Sequence, residues 1–186
     1  GLHRFFEWLD EGYAGTMHYL PQRRDAYSHP NHVLENVRSL LVLGMHYGTG
    51  VPQEVQPGEG KVATYAWGTT DYHDLIHKRL KQLKQFHQEL LPEQRCRGVV
   101  DTAPILEKDF AQRAGIGWIG KNTLLINRTQ GSYFFLAVLL TTAKLDYDQA
   151  IVNEHCGSCT ACLDACPTDA FPKPFAILPL ITDVQC

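Results

Sequence analysis

Residues 155–170 read HCGSCTACLDACPTDA. The cysteines of this stretch, Cys156, Cys159, Cys162 and Cys166, follow the order C-x2-C-x2-C-x3-C, and Pro167 comes directly after the last. Soft thiolates at x2 spacing wrap the corners of one iron–sulfur cube, and the closing Cys-Pro belongs to the bacterial iron–sulfur ligand run. A structural zinc site is the competing reading. Zinc sites usually use two well-separated pairs, whereas this run is continuous. In two-cluster proteins with this run the fourth cysteine serves the other cluster. Cys156, Cys159 and Cys162 then need one remote thiolate and Cys166 needs three, while only Cys96 and Cys186 remain. Either the clusters are incomplete or the chain is a fragment; the start at Gly1 and the ending at Cys186 favour a fragment.

Outward from this run, the character of the chain changes near residue 148. Beyond it lie short loops carrying Pro167, Pro172, Pro174 and Pro179; before it lie apolar runs of helix and strand type. We therefore expect two domains, 1–148 and 149–186, which suits a length of 186 residues. Hydrophobic residues make up 44% and charged residues 20%, a globular balance that excludes a disordered chain. No apolar run approaches the ~18–20 residues of a membrane span. The formal charge of −3 gives no bulk electrostatic footprint for nucleic acid. Four of the six cysteines fall within eleven residues, unlike the spread of a secreted disulfide scaffold. With no cleavable signal pattern, a reduced, cytoplasmic compartment is expected.

Leu2, Phe5, Phe6 and Leu9 recur at helical spacing before Gly12 and Gly15. Ser39 to His46 (SLLVLGMH) is an apolar run of buried-strand length, and residues 51–60 read as a loop. A long helix is predicted over 71–91, capped by Thr70 or Asp71, with Leu75, Ile76, Leu80, Leu83, Phe86 and Leu90 on one face. Residues 97–101 suggest a short strand. Pro104 suits the first turn of a helix that ends at Gly115. Asn122 to Asn127 and Tyr133 to Thr142, joined by RTQG, suggest a hairpin.

Several patterns are weaker than they look. Gly115-Ile-Gly117-Trp-Ile-Gly120 satisfies G-x-G-x-x-G but follows a helix and opens a strand, the reverse of a dinucleotide site. It also approaches a phosphate loop, but Asn122 stands where Ser or Thr would hold magnesium. What remains is a glycine-rich bend with Lys121 and Asn122 as polar tips. His73 and His77 sit at i, i+4 without a third ligand, so a solvated helix face is the simpler reading. Lys78, Arg79, Lys81, Lys84, Arg95 and Arg97 form the basic concentration of the chain, a wet surface that can also meet phosphates. Asp101 is either a cap for the next helix or an acid at the end of a strand, where α/β sheets place reactive groups.

The strings YAWGTTDYHDLIHKRL (65–80), VDTAPILEKDFAQRAGIGWIGKNTLLI (100–126), GSYFFLAVLLT (131–141) and HCGSCTACLDACPTDA (155–170) together resemble the epoxyqueuosine reductase family. The resemblance implies an enzyme that uses cobalamin and two [4Fe–4S] clusters to reduce epoxyqueuosine to queuosine in the tRNA anticodon loop. It implies an α/β (α+β) cobalamin-binding domain with a mixed sheet, then a truncated ferredoxin-like 4Fe-4S domain. Asp101 matches the proposed proton donor. Tyr65, Asp101, Trp118, Gly120, Lys121, Asn122 and Thr123 match segments around the corrinoid. Cys156, Cys159, Cys162 and Cys166 match the first cluster motif, and Cys186 the opening cysteine of the second. The implied partners are tRNA carrying epoxyqueuosine and an external electron donor, with no membrane and a monomeric state. Lys108 stands where the family commonly has Arg, and Thr69-Thr70 makes its segment one residue longer than usual.

The chemistry is compatible with these residues. Reductive removal of an epoxide oxygen takes two electrons and two protons, and a positioned carboxylic acid protonates the leaving oxygen. Two rivals are a corrinoid reductive dehalogenase and a ferredoxin-type electron carrier without an active site; the ~150 residues before the cysteines argue against the carrier.

Overall fold

The structure, a computed structural model, describes residues 1–48, 50, 54, 56–60, 62–150 and 155–178. Cys186 and, within the loop expected over 51–60, residues 51–53 and 55 lie outside the described residues. Among the described residues no helix is long and apolar enough to cross a membrane.

Three strands form the main sheet: β1 (Ser39–His46), β2 (Cys96–Val99) and β5 (Phe134–Thr141), in the order β1-β5-β2. β1 spans the residues expected from its apolar run. The expected mixed sheet is corrected: β5 runs antiparallel to both neighbours. The physical reason is an insertion. β1 and β2 point the same way, as a strand–helix–strand unit requires, but β5 lies between them and supplies every ladder hydrogen bond. A separate two-stranded sheet pairs β3 (Trp118–Ile119) with β4 (Leu125–Ile126). The architecture is α+β with small sheets.

Side chains alternate across β5, and both of its faces are covered. Phe135 and Ala137 face α4 (Tyr72–Leu90), where Ile76 and Leu80 meet them. Val138 and Leu140 face the other side, where Val33, Ile105 and Phe110 of α5 (Glu107–Arg113) pack. Asp71 caps α4, its carboxylate accepting from His73 N at 2.8 Å. The buried stripe of α4 is narrower than expected: Ile76, Leu80 and His87 are buried, while Phe86 and Leu90 are exposed. The helix outruns the four-residue β2 beneath it, so its last turn finds cover only through His87, whose Nε2 lies 2.7 Å from Thr141 Oγ1. Gly98 allows the close approach of helix and sheet, since a Cβ there would stand 3.2 Å from Leu80 Cβ.

Two further expectations are corrected. Pro104 does not open a helix; residues 101–104 form a bend, and α5 begins at Glu107 with Leu106 as its cap. The RTQG turn closes on a single bridge, Asn127 to Gly131, and the runs either side do not pair further. β4 turns back onto β3, and β5 enters the main sheet.

α1 (Leu2–Asp10) fastens the chain beyond the cysteines. Trp8 Nε1 donates to Ile177 O at 2.8 Å, Lys173 Nζ meets Glu11 Oε1 at 3.0 Å, and the Arg4 guanidinium sits 4.7 Å above the Phe175 ring.

Candidate functional site

Asp101 follows β2 and Val100 at the end of the strand, with φ 52°, a left-handed conformation that Asp tolerates better than most residues. It does not cap α5. Its Oδ2 accepts a hydrogen bond from the Tyr72 hydroxyl and stands 3.4 Å from His73 Nε2. His73 stacks on the Tyr72 ring at 4.0 Å, and its Nδ1 lies 2.8 Å from Asp71 Oδ1. The backbone N–H of His73 holds the Asp71 carboxyl below the usual carboxylate range. Burial, then the bond to Asp101, pushes the Tyr72 phenol well above its ordinary value. The residue pair at the start of α4 therefore does two jobs, capping and orienting Asp101. The resemblance puts the aromatic residues of DYH near the corrinoid, but sequence reasoning did not pair Tyr72 with Asp101 and grouped His73 with His77. The two histidines part company: His77 is exposed, and His73 is turned toward Asp101. The string DYH opens at the Asp71 cap of α4, and nothing local in it pairs Tyr72 or His73 with Asp101.

Tyr72 also lies flat against Phe135, with ring centroids 4.1 Å apart and planes 5° from parallel. Tyr65 meets both rings edge-on at 6.5 Å. Together with Met45, Trp67 and Gly68 these rings line an open cleft of about 500 Å³. Tyr65 and Trp67 stay about half exposed, presenting apolar surface to whatever enters. Flat aromatic walls suit a planar ligand; Tyr65 lines this cleft, and Asp101 adjoins it through its bond to Tyr72.

The remaining expected contacts gather elsewhere. Trp118 packs on His155 with centroids 4.5 Å apart, and its Nε1 is buried without a partner among the described residues. Gly117 and Gly120 are required by the tight β3–β4 hairpin, because a Cβ at either would strike Ile126. Asn122 Oδ1 accepts from Leu124 N, and Thr123 takes a φ of 65°. Lys108 Nζ donates to Thr123 O at 3.1 Å, a single bond that needs no guanidinium. Lys121 Nζ donates to Gly157 O at 2.7 Å and Cys159 O at 2.9 Å, so this tip reaches the cysteine loop.

Cys156, Cys162 and Cys166 are half-buried free thiols and Cys159 is an exposed one, ranged around the one-turn helix α6 (Ala161–Asp164). Thr168 and the N–H of Ala170 stabilise the thiolate of Cys166 and draw its pKa below the ordinary value. Among the described residues no three His, Cys, Asp or Glu side chains converge as a single-ion site would require. A four-iron cube takes one thiolate at each iron, so separated soft donors fit such bodies better than one ion, with Cys156, Cys159 and Cys162 suited to one cube and Cys166 to another.

Glu107 is a second group that sequence reasoning missed. Its Oε1 is buried without a partner among the described residues, and burial pushes the carboxyl up to about 7, with the charge of Asp101 adding to the effect.

The chain thus joins an α+β domain, with a carboxylate beside an aromatic cleft, to a thiol-rich loop. Residues 28–102 match the family model for epoxyqueuosine reductase QueG, DUF1730. An epoxyqueuosine reductase of Pseudomonas aeruginosa is 44% identical over 174 residues, 91% of this chain and 48% of that protein. One from Synechocystis sp. is 39% identical, over 94% of this chain and 59% of that protein. The Streptococcus thermophilus epoxyqueuosine reductase structure superposes with a TM-score of 0.73 at 31% identity, over 94% of this chain and 49% of that one. An epoxyqueuosine reductase crystallised with an epoxyqueuosine-modified tRNA stem loop superposes with a TM-score of 0.80 at 28% identity, over 95% and 47%. The chain belongs to the epoxyqueuosine reductase family. It spans about half the length of the curated relatives it matches.

Proposed function

We propose that this chain carries the catalytic centre of an epoxyqueuosine reductase, which converts epoxyqueuosine in tRNA to queuosine. The observation that carries this reading is the Asp101 carboxylate, hydrogen-bonded to the Tyr72 hydroxyl at the rim of an aromatic cleft. A structure from Bacillus subtilis has a catalytic aspartate loop swung out of its active site. The left-handed bend at Asp101 after β2 supports reading it as the aspartate of such a loop.

Removal of the epoxide oxygen consumes two electrons and two protons and releases water. Asp101 supplies a proton to the leaving oxygen, and the Tyr72 hydroxyl at Oδ2 orients the carboxyl for that transfer. His73, bonded to Asp71, steadies the same carboxylate from a second direction. Tyr65, Tyr72 and Phe135 wall off one side of the cleft and limit water there. Residues 1–148 form the cobalamin domain, with Tyr65, Trp67 and Phe135 offering the flat surface. Cys156, Cys159, Cys162 and Cys166, with Cys186, belong to the [4Fe–4S] ligands of the domain over 149–186. A corrinoid bound there would supply a two-electron reducing centre, and clusters held by these cysteines would supply single electrons from an external donor. The substrate partner is tRNA, whose phosphates the exposed Lys78 and Lys81 of α4 are placed to meet.

The test is conversion of epoxyqueuosine to queuosine in tRNA by the full-length protein, reconstituted with cobalamin, iron and sulfide and given a low-potential reductant. Product formation that depends on added corrinoid is expected. A corrinoid-loaded, iron-replete protein that leaves the epoxide intact overturns the reading.

A further inference from the structure

Lys121 was expected at the corrinoid from the resemblance, yet its contacts lead elsewhere. The ammonium donates to Gly157 O and Cys159 O, two carbonyls of the first cysteine turn. The main-chain oxygen of the same residue accepts from Phe175 N at 2.9 Å, beyond the last cysteine of the run. One residue thus grips the thiol segment at both ends.

The arm that presents it is rigid. Thr123 N donates to Gly120 O at 3.0 Å, and Gly120 N to Leu124 O at 2.8 Å. Lys108 closes on Thr123 O from outside the turn. The backbone that carries Lys121 is thus ordered independently of its two side-chain bonds. On the opposite side Gly157 takes a φ of 44°, which turns its carbonyl out toward the ammonium. Peptide planarity then fixes the N–H of Ser158 opposite the Gly157 carbonyl, and the N–H of Thr160 opposite that of Cys159. Carbonyls face the lysine, and the amide donors of the same peptides face away from it.

We propose that Lys121 is a positioning residue of the cysteine loop: it orients the loop's peptide dipoles and, with its fixed positive charge, raises the reduction potential of the cluster held there. The proposal rests on the cluster reading given above. Hydrogen bonds toward the sulfurs and local net charge are among the quantities that set such potentials. A cation close to the site makes an added electron easier to accept. Lys121 belongs to the β3–β4 turn of the cleft-bearing domain and reaches across to the cysteine loop, so its role is exerted on the thiol segment and not on substrate.

The experiment compares full-length holoenzyme with Lys121→Met and Lys121→Arg. Iron content, corrinoid affinity and an electron paramagnetic resonance redox titration are measured on each. The expected result is a more negative midpoint for one cluster in Lys121→Met, a midpoint near wild type in Lys121→Arg, and corrinoid affinity unchanged within about twofold. Loss of that cluster from Lys121→Met with corrinoid binding intact also supports the fastening. A Lys121→Met protein with full iron and the wild-type midpoint overturns the proposal, as does weakened corrinoid binding at an unchanged potential. Should Lys121→Met fail to fold, Lys121→Gln keeps one N–H donor without the charge, and its midpoint decides by the same criterion. A wild-type protein that shows no [4Fe–4S] signal removes the cluster reading itself, an outcome visible before any variant is compared.

Discussion

The residue that matters most is held by neighbours that no local pattern announces. Asp101 was legible as a candidate because it ends a strand, but cap and acid were indistinguishable while its surroundings were unknown. Leu106 takes the cap position, and Tyr72, twenty-nine residues earlier, supplies the bond to Oδ2. Asp101→Asn keeps the shape and the acceptor oxygen but removes the transferable proton. In single turnover with pre-reduced corrinoid, epoxide reduction should fall by ~10²–10⁴-fold while corrinoid still binds. A rate within about threefold of wild type, well outside that range, sinks the assignment. Glu107 makes a separate case. Burial lifts its carboxyl from 4.5 to about 7, so the folded chain binds that proton more tightly than the unfolded one. Its stabilising contribution is complete below the unfolded value and is lost as pH rises through about 7. Glu107→Gln should therefore melt close to wild type at low pH and above it at alkaline pH, each kcal/mol moving Tm by ~2–4 °C at this size. Melting curves whose difference does not change with pH count against a buried, proton-holding Glu107.

At the scale of elements, long apolar signals were read correctly and short pairings were not. β1 and α4 emerged from unbroken periodicity and a capping Asp, which are local properties of the chain. The β3–β4 ladder has only two residues per strand, too few for alternation to register, and its partner choice depends on where β5 goes. The mixed-sheet expectation failed for the same reason: strand order is a tertiary fact. The buried face of α4 followed from the length of the sheet beneath it, which left Phe86 and Leu90 in solvent. Helix and sheet meet most closely where Leu80 lies over Gly98. Gly98→Val forces added methyls into Leu80 and should cost ~1–3 kcal/mol, while Leu80→Ala opens a cavity and should cost ~2–5 kcal/mol. Combined, the larger residue partly fills the space left by the smaller, so the double variant should be less destabilised than the two costs added. Urea denaturation of the three variants measures this, and strict additivity would mean the two positions do not share a contact.

The whole molecule poses a counting problem that its cysteines answer. Two [4Fe–4S] clusters require four thiolates each, and the chain has six cysteines. Cys96 is poorly suited to serve. It opens β2 opposite Thr141, and burial pushes its thiol up, away from the thiolate a metal needs. Five thiols remain, and the run itself divides them, since its fourth cysteine is directed to a different cluster from the first three. Protein contacts hold the loop and the chain after it: Lys121 bonds the loop, and Arg4 and Trp8 of α1 with the adjoining Glu11 fasten residues 173–177. A preset loop with too few ligands should capture one cluster incompletely rather than none. Anaerobic reconstitution of residues 1–186 should therefore yield at most about four iron atoms per chain, and the full-length protein about eight. Iron and acid-labile sulfide analysis, with electron paramagnetic resonance of the reduced samples, gives both counts. Eight iron atoms on residues 1–186 with two reducible cubes would contradict the division of ligands on which the cluster reading depends, because at least one cube would then be held without its cysteines.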